Sequence, residues 1–181
     1  MKSIYNCNYK FYRANLKPQK IVAISDLHFD KMLNKNHLRA LEFIKQTQPD
    51  HIMIAGDTIE NVHVAESPER VQILRDYLTK LGQIAPVCIG LGNHDSYRSV
   101  KPYRPKGSWH KCHYISEKSS PLKECVKGLF NIFLLDNDAF EDENVYIFGL
   151  SLPADYYENL DKPGLEKKRG CFVNLINMQK N

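Results

Sequence analysis

Three apolar runs, Lys20 to Ile24, His51 to Ala55 and Pro86 to Leu91, each stop at a polar segment: Ser25-Asp26-Leu27-His28, Gly56-Asp57-Thr58-Ile59-Glu60 and Gly92-Asn93-His94-Asp95. Short runs rich in β-branched residues, without polar alternation, read as strands buried on both faces. Helical periodicity fills the intervals between them. Repeated strand, helix, strand order predicts an α/β fold with a parallel sheet, because right-handed crossovers return each strand beside the last and bring all carboxyl ends to one edge. Carboxylate, imidazole and amide side chains from distant points in the chain are thereby delivered to one place.

Asn36 to Gln46 carries Leu38, Leu41 and Ile44 at helical spacing and is broken by Pro49-Asp50. The next helix, Pro68 to Leu81, is punctuated at both ends. Ser67 suits the cap, Pro68 the first turn and Glu69 the positive end of the dipole, with Gly82 after the last periodic residue. Val71, Leu74, Leu78 and Leu81 line its inner face. Ser96 to Ser116 reads as a long loop, and Ser120-Pro121 opens a short helix bearing Leu122, Cys125, Val126 and Leu129. Asn131 to Leu135, Ala139-Phe140 and Val145 to Leu150 read as strands starting a second sheet, with Glu141 to Asn144 as a hairpin turn. Tyr5 to Tyr12 suits an edge strand, the charges around Lys167 suit a solvated face, and no linker or repeat divides residues 1–181 into more than one domain.

With 43% hydrophobic residues the chain has material for one sizeable core. Lys2, Lys10, Arg13, Lys17 and Lys20 interrupt the N-terminal stretch, so neither a signal peptide nor a membrane span is expected there, and a cytoplasmic protein is. Cysteines 7, 88, 112, 125 and 171 are odd in number and show no C-x-x-C spacing, which suits reduced thiols. A net charge of +4 does not indicate nucleic acid. The basic stretch with Arg98, Lys101, Arg104, Lys106 and Lys111 reads as a solvated loop, with a lip meeting a phosphate ester as the sharper alternative.

Taken singly, Asp26, Asp57 and Asp95 read equally well as caps or turn formers, and His28 as an ordinary loop histidine. Three such segments in register after three strands point instead to a shared metal centre. Asp57 is the natural bridging ligand, since its two oxygens can touch both ions and its charge offsets repulsion between cations about 3.5–4 Å apart. Asn93 offers a neutral amide oxygen, and Glu60 and Asn61 read as residues that orient the Asp57 loop.

In this order, Asp26-x-His28, Gly56-Asp57 and Gly92-Asn93-His94-Asp95 resemble the calcineurin-like metallophosphoesterase superfamily, which cleaves phosphomonoesters, phosphodiesters and pyrophosphates. The resemblance implies a two-sheet α/β sandwich with flanking helices. It also implies two divalent ions, manganese, iron or zinc, one held by Asp26, His28 and Asp57 and the other by Asp57 and Asn93 with later histidines. His94 would face the phosphate as the catalytic group, with Asp95 holding its ring. The substrate would be a phosphorylated small molecule, nucleotide or lipid. The family's last metal histidines stand in a Gly-His-x-His segment, whereas here only His110 and His113 follow His94, in no such context. The resemblance therefore reaches from Ile21 to about Tyr157 and implies an N-terminal portion, completed by a complementing chain or else a non-catalytic remnant binding one metal or a partner protein.

Overall fold

The computed structural model describes residues 17–100, 113–116 and 120–152. Strands β1 (Ile21–Ile24), β2 (His51–Ala55) and β3 (Val87–Gly90) form, with helix α1 (Lys35–Thr47) and helix α2 (Pro68–Gly82) as crossovers. After β3 come the four-residue helix α3 (Asn93–Ser96), strands β4 (Tyr97–Val100) and β5 (His113–Ser116), helix α4 (Pro121–Val126), and strands β6 (Ile132–Leu135), β7 (Asp138–Glu141) and β8 (Tyr146–Gly149). The main sheet is parallel in the order β1-β2-β3-β6. No helix among the described residues is long and apolar enough to cross a membrane.

Period-two alternation divides the core. Val22, Ile52, Ile54, Val87 and Ile89 join Ile44, Leu74, Leu78, Leu81, Leu122 and Val126 in one cluster, so this face of the sheet packs on the helices. Each such side chain, fully buried, stabilises the fold by roughly 1.5–3 kcal/mol. Met53, Cys88 and Leu135, one residue out of phase, meet Val145 and Ile147 of the β7-β8 hairpin on the opposite face. Both faces of the strands are thus covered, which is why they read as continuous apolar runs.

The structure departs from the sequence reading or adds to it at four points. Strand β6 pairs with β3 and completes the parallel sheet, so the second sheet begins only at β7. Within the expected 96–116 loop, β4 and β5 form an antiparallel ribbon. Leu38 is 51% exposed while its neighbour His37 is buried. Gly82 is the last residue of α2 rather than its terminator, and a Cβ there would press on the Phe130 carbonyl 2.7 Å away. The segments from Tyr5 to Tyr12 and beyond Leu152 lie outside the described residues.

The hairpin is pinned at the end of the sheet remote from the polar strand ends. Buried His51, first residue of β2, donates from Nε2 to Asp142 Oδ2 at 2.7 Å, and its ring lies against Phe140. Partial burial would raise the Asp142 pKa, but the Asn144 and Val145 amides and the His51 ring outweigh it and hold the carboxyl below its ordinary range. A depressed folded-state pKa means the unfolded chain binds the proton more readily. The contribution is therefore present above the unfolded value near about 3.9 and lost as pH falls through the lower folded value. Thermal unfolding of Asp142→Asn should show a lower midpoint than wild type at neutral pH, with the gap closing below about pH 4. Parallel curves across the acid range would count against the latch.

Candidate metal centre

Where β1 and β2 end, their loops continue side by side. Asp26 N–H donates to the Gly56 carbonyl at 3.3 Å, His28 N–H to that of Asp57 at 2.9 Å and Phe29 N–H to that of Thr58 at 3.0 Å, while Glu60 N–H returns to the Phe29 carbonyl at 2.7 Å. Fully buried Phe29 and Ile59 complete this zipper as an isolated parallel bridge. Residues some thirty positions apart are locked together by backbone alone.

The zipper holds an unusual backbone. Asp26, His28 and Asp57 stand at φ 54°, 47° and 51°, in the left-handed region, each at a cost of order 1–3 kcal/mol for a residue other than glycine. Gly56 shares that conformation at φ 78°, and a Cβ on it would come within 3.0 Å of Gly92. A Cβ on Gly92 would strike the carboxylate and amide of Asp57, so the third strand end approaches the second as closely as two glycines allow.

This geometry brings donor atoms of Asp26, His28 and Asp57 within 4.8 Å of one another. His28 Nε2 lies 3.7 Å from Asp26 Oδ1, and His28 Nδ1 lies 3.1 Å from Glu60 Oε2. Nδ1 is near Glu60 without hydrogen-bond geometry, and Nε2 is the ring nitrogen beside Asp26, where a neutral imidazole could ligate a cation. Mixed oxygen and nitrogen donors, partly exposed and prearranged in a strained turn, fit a divalent transition metal. A second donor group, His28, Glu60 and His94, overlaps the first at His28. Glu60, read from sequence as an orienting residue, thus touches a donor. Its signal was its place three residues after Asp57 in the same turn.

The third strand end contributes differently. Asn93 opens α3 half-buried, and the next amide, His94 N–H, donates to Asp57 Oδ1 at 3.1 Å. His94 Nδ1 meets the Glu60 carbonyl, and its ring packs edge-on against His28 at 4.8 Å between centroids. The expected partnership of Asp95 with that ring is not formed. Asp95 is fully buried and accepts from Ile59 N–H at 3.0 Å and Gly92 N–H at 2.9 Å. Burial pushes its carboxyl up to about 6 despite those amides, the neighbouring Asp57 charge adding to the rise. Asp95 clamps two of the three loops together from below, because an inward-facing carboxylate at that depth has only backbone donors within reach. His110 lies outside the described residues, and the β4-β5 register sets His113 opposite Val100, at the end of the ribbon away from α3. Asn61 caps the 3-10 turn Val62–Val64 by accepting from His63 N–H at 3.0 Å.

Comparison with known proteins bears on this arrangement directly. The family model for calcineurin-like phosphoesterases matches residues 19–169. No curated protein sequence matches the chain. The match spans all three strand ends and most of the chain, and the four-stranded parallel sheet with small antiparallel pairings and helices accords with that family's fold. The chain belongs to the calcineurin-like phosphoesterase family, whose members hydrolyse phosphoesters with divalent metal ions.

Proposed function

We propose, from that membership, that the chain hydrolyses a phosphoester of a small molecule, nucleotide or lipid at a two-metal centre built on its three strand ends. The observation that supports this most is the convergence of Asp26, His28 and Asp57 donors in a turn whose left-handed backbone has no other evident use. Asp26, His28 and Asp57 would hold one ion. Asp57 and Asn93 would begin the site of the other, with completing ligands from elsewhere in the chain or from a complementing chain. Manganese, iron and zinc suit the donor set. Bound divalent cations supply Lewis-acid stabilisation of phosphoryl oxygens and acidify water. Among protein groups, His94 is the one oriented for proton transfer. Since a carbonyl can only accept, the hydrogen on His94 Nδ1 is committed to Glu60; Nε2 is the atom left to face a leaving oxygen, and in the doubly protonated ring its hydrogen passes to that oxygen, leaving the neutral Nδ1–H form. Asp95 acts as a positioning residue in this scheme. A reducing, cytoplasmic setting is part of the reading, supported by the free thiols of buried Cys88 and Cys125.

A second reading, a one-metal binder without turnover, is favoured by one observation: among the described residues the two donor triads both draw on His28, so one ion at a time can take that imidazole, while Asn93 adds only an amide. Metal titration and turnover of a p-nitrophenyl phosphoester separate the two. The first ion should bind more tightly than the second, turnover should be slow and abolished by chelation, and His94→Ala should lower it by roughly 10²–10⁴-fold with metal content unchanged. Metal uptake with no chelator-sensitive turnover supports the second reading. Turnover unaffected by His94→Ala removes the assigned acid.

A further inference from the structure

Leu27 sits between two donors, Asp26 and His28, that both adopt the left-handed conformation. The N–H groups of Asp26 and His28 are held by the Asp57 loop, but that leaves the carbonyl side of the turn unaccounted for. It is held from a different direction. His37, in the first turn of α1, places Nε2 2.7 Å from the Leu27 carbonyl, and its side chain is buried.

Both ring nitrogens of His37 have obligate partners. Asn34 N–H, which can only donate, points at Nδ1 at 3.1 Å, so Nδ1 carries the lone pair and Nε2 carries the hydrogen given to Leu27. The same contact closes a capping box with His37 where glutamate or glutamine usually stands, Asn34 Oδ1 accepting in return from His37 N–H at 3.1 Å. The ring is wedged between Phe29 and Tyr77, at centroid distances of 6.3 and 5.9 Å, and Tyr77 O–H donates to the His37 carbonyl at 3.2 Å. Neither rotation nor tautomer exchange is open to it without stranding a buried polar group. A cap needs only an acceptor at this position. The donor on the far side of the ring serves the metal turn.

We propose that His37 is a positioning residue for the candidate metal centre, using α1 as a fixed reference that holds the Asp26-Leu27-His28 turn in its strained, donor-converging form. This rests on the metal reading of the site. Without the Leu27 bond the turn can relax out of the left-handed region, moving the Asp26 and His28 donors apart while leaving all of them in the chain.

Cobalt(II) titration of the full chain, read by visible absorption and paired with thermal unfolding, tests this. His37→Met, neutral and of similar bulk, loses both the cap acceptor and the Leu27 donor, and should bind cobalt at least about tenfold more weakly with an altered band envelope. Asn34→Ala weakens the cap alone and should lower the unfolding midpoint while leaving cobalt affinity unchanged. His37→Gln offers an acceptor and a donor at similar separation and should restore affinity to within about threefold of wild type. In the wild-type NMR spectrum the His37 ring should carry its slowly exchanging hydrogen on Nε2. Wild-type affinity in His37→Met, equal losses of affinity in Asn34→Ala, or a ring protonated on Nδ1 instead would each overturn the proposal, the last without recourse to any variant. A wild-type chain that takes up no cobalt overturns the metal reading itself, and this proposal with it, whereas the other outcomes leave that reading standing.

Discussion

Asp57→Ala should empty the centre: metal uptake and any metal-dependent turnover are expected to disappear together, with the fold retained. Asp57 is the carboxylate that completes the donor triad with Asp26 and His28, and its Oδ1 also receives the His94 amide at 3.1 Å. Its removal leaves that triad with one exposed carboxylate and one imidazole, and takes away the Oδ1 that seats the amide of His94, a member of the other donor group. The loss should exceed the roughly 10–100-fold typical of removing an outer partner of a metal ligand. Elemental analysis after dialysis measures it, with circular dichroism as the control on folding. An alanine variant that still retains one ion per chain would mean that the Asp26 triad is not the binding site.

Gly92→Ala should cost almost as much although it deletes no donor. A Cβ at position 92 would occupy space taken by the Asp57 carboxylate and would collide with the Asp57 backbone nitrogen, which no side-chain rotation can move aside. The β3 loop would have to retreat. Its retreat would stretch the 2.9 Å bond from Gly92 N–H to buried Asp95, the clamp that ties this loop to Ile59. Forcing a methyl into packed structure typically costs about 1–3 kcal/mol, and a strained buried hydrogen bond adds to it. The expected result is a lower unfolding midpoint together with a metal affinity close to that of Asp57→Ala. Wild-type affinity in Gly92→Ala would show that the two strand ends need not approach so closely, and would detach Asn93 and His94 from the centre.

Much of this was legible before any coordinates. Runs such as Ile52-Met53-Ile54 declare a strand covered on both sides, and Ser67-Pro68-Glu69 declares a helix start whose cap does accept from Arg70 N–H at 3.4 Å. The Asp26, Asp57 and Asn93 segments could be assigned to one edge because crossover handedness is a property of every βαβ chain. Other features resisted reading for definite reasons. Periodicity marks a buried strand but not its neighbour, so it does not tell that β6 pairs with β3. The start of α1 at Lys35 leaves no ordinary signal in the chain, because its capping box uses His37 where the usual residue is an acid or amide. For the same reason the apolar spacing of Leu38, Leu41 and Ile44 does not reveal that a doubly hydrogen-bonded imidazole, His37, takes a buried position beside exposed Leu38.

Sequence alone determined the order of strands and helices and which residue types reach the edge of the sheet, since both follow from local apolar patterning and chain chirality. Only the tertiary structure decided how those residues face one another. The left-handed turns at Asp26, His28 and Asp57, the inward course of Asp95 and the grip of His37 on Leu27 all depend on partners from ten to about forty residues away. Such partners leave no periodic trace in the chain, because a single hydrogen bond to a backbone carbonyl can be made by many residue types and is selected only by where the fold places it.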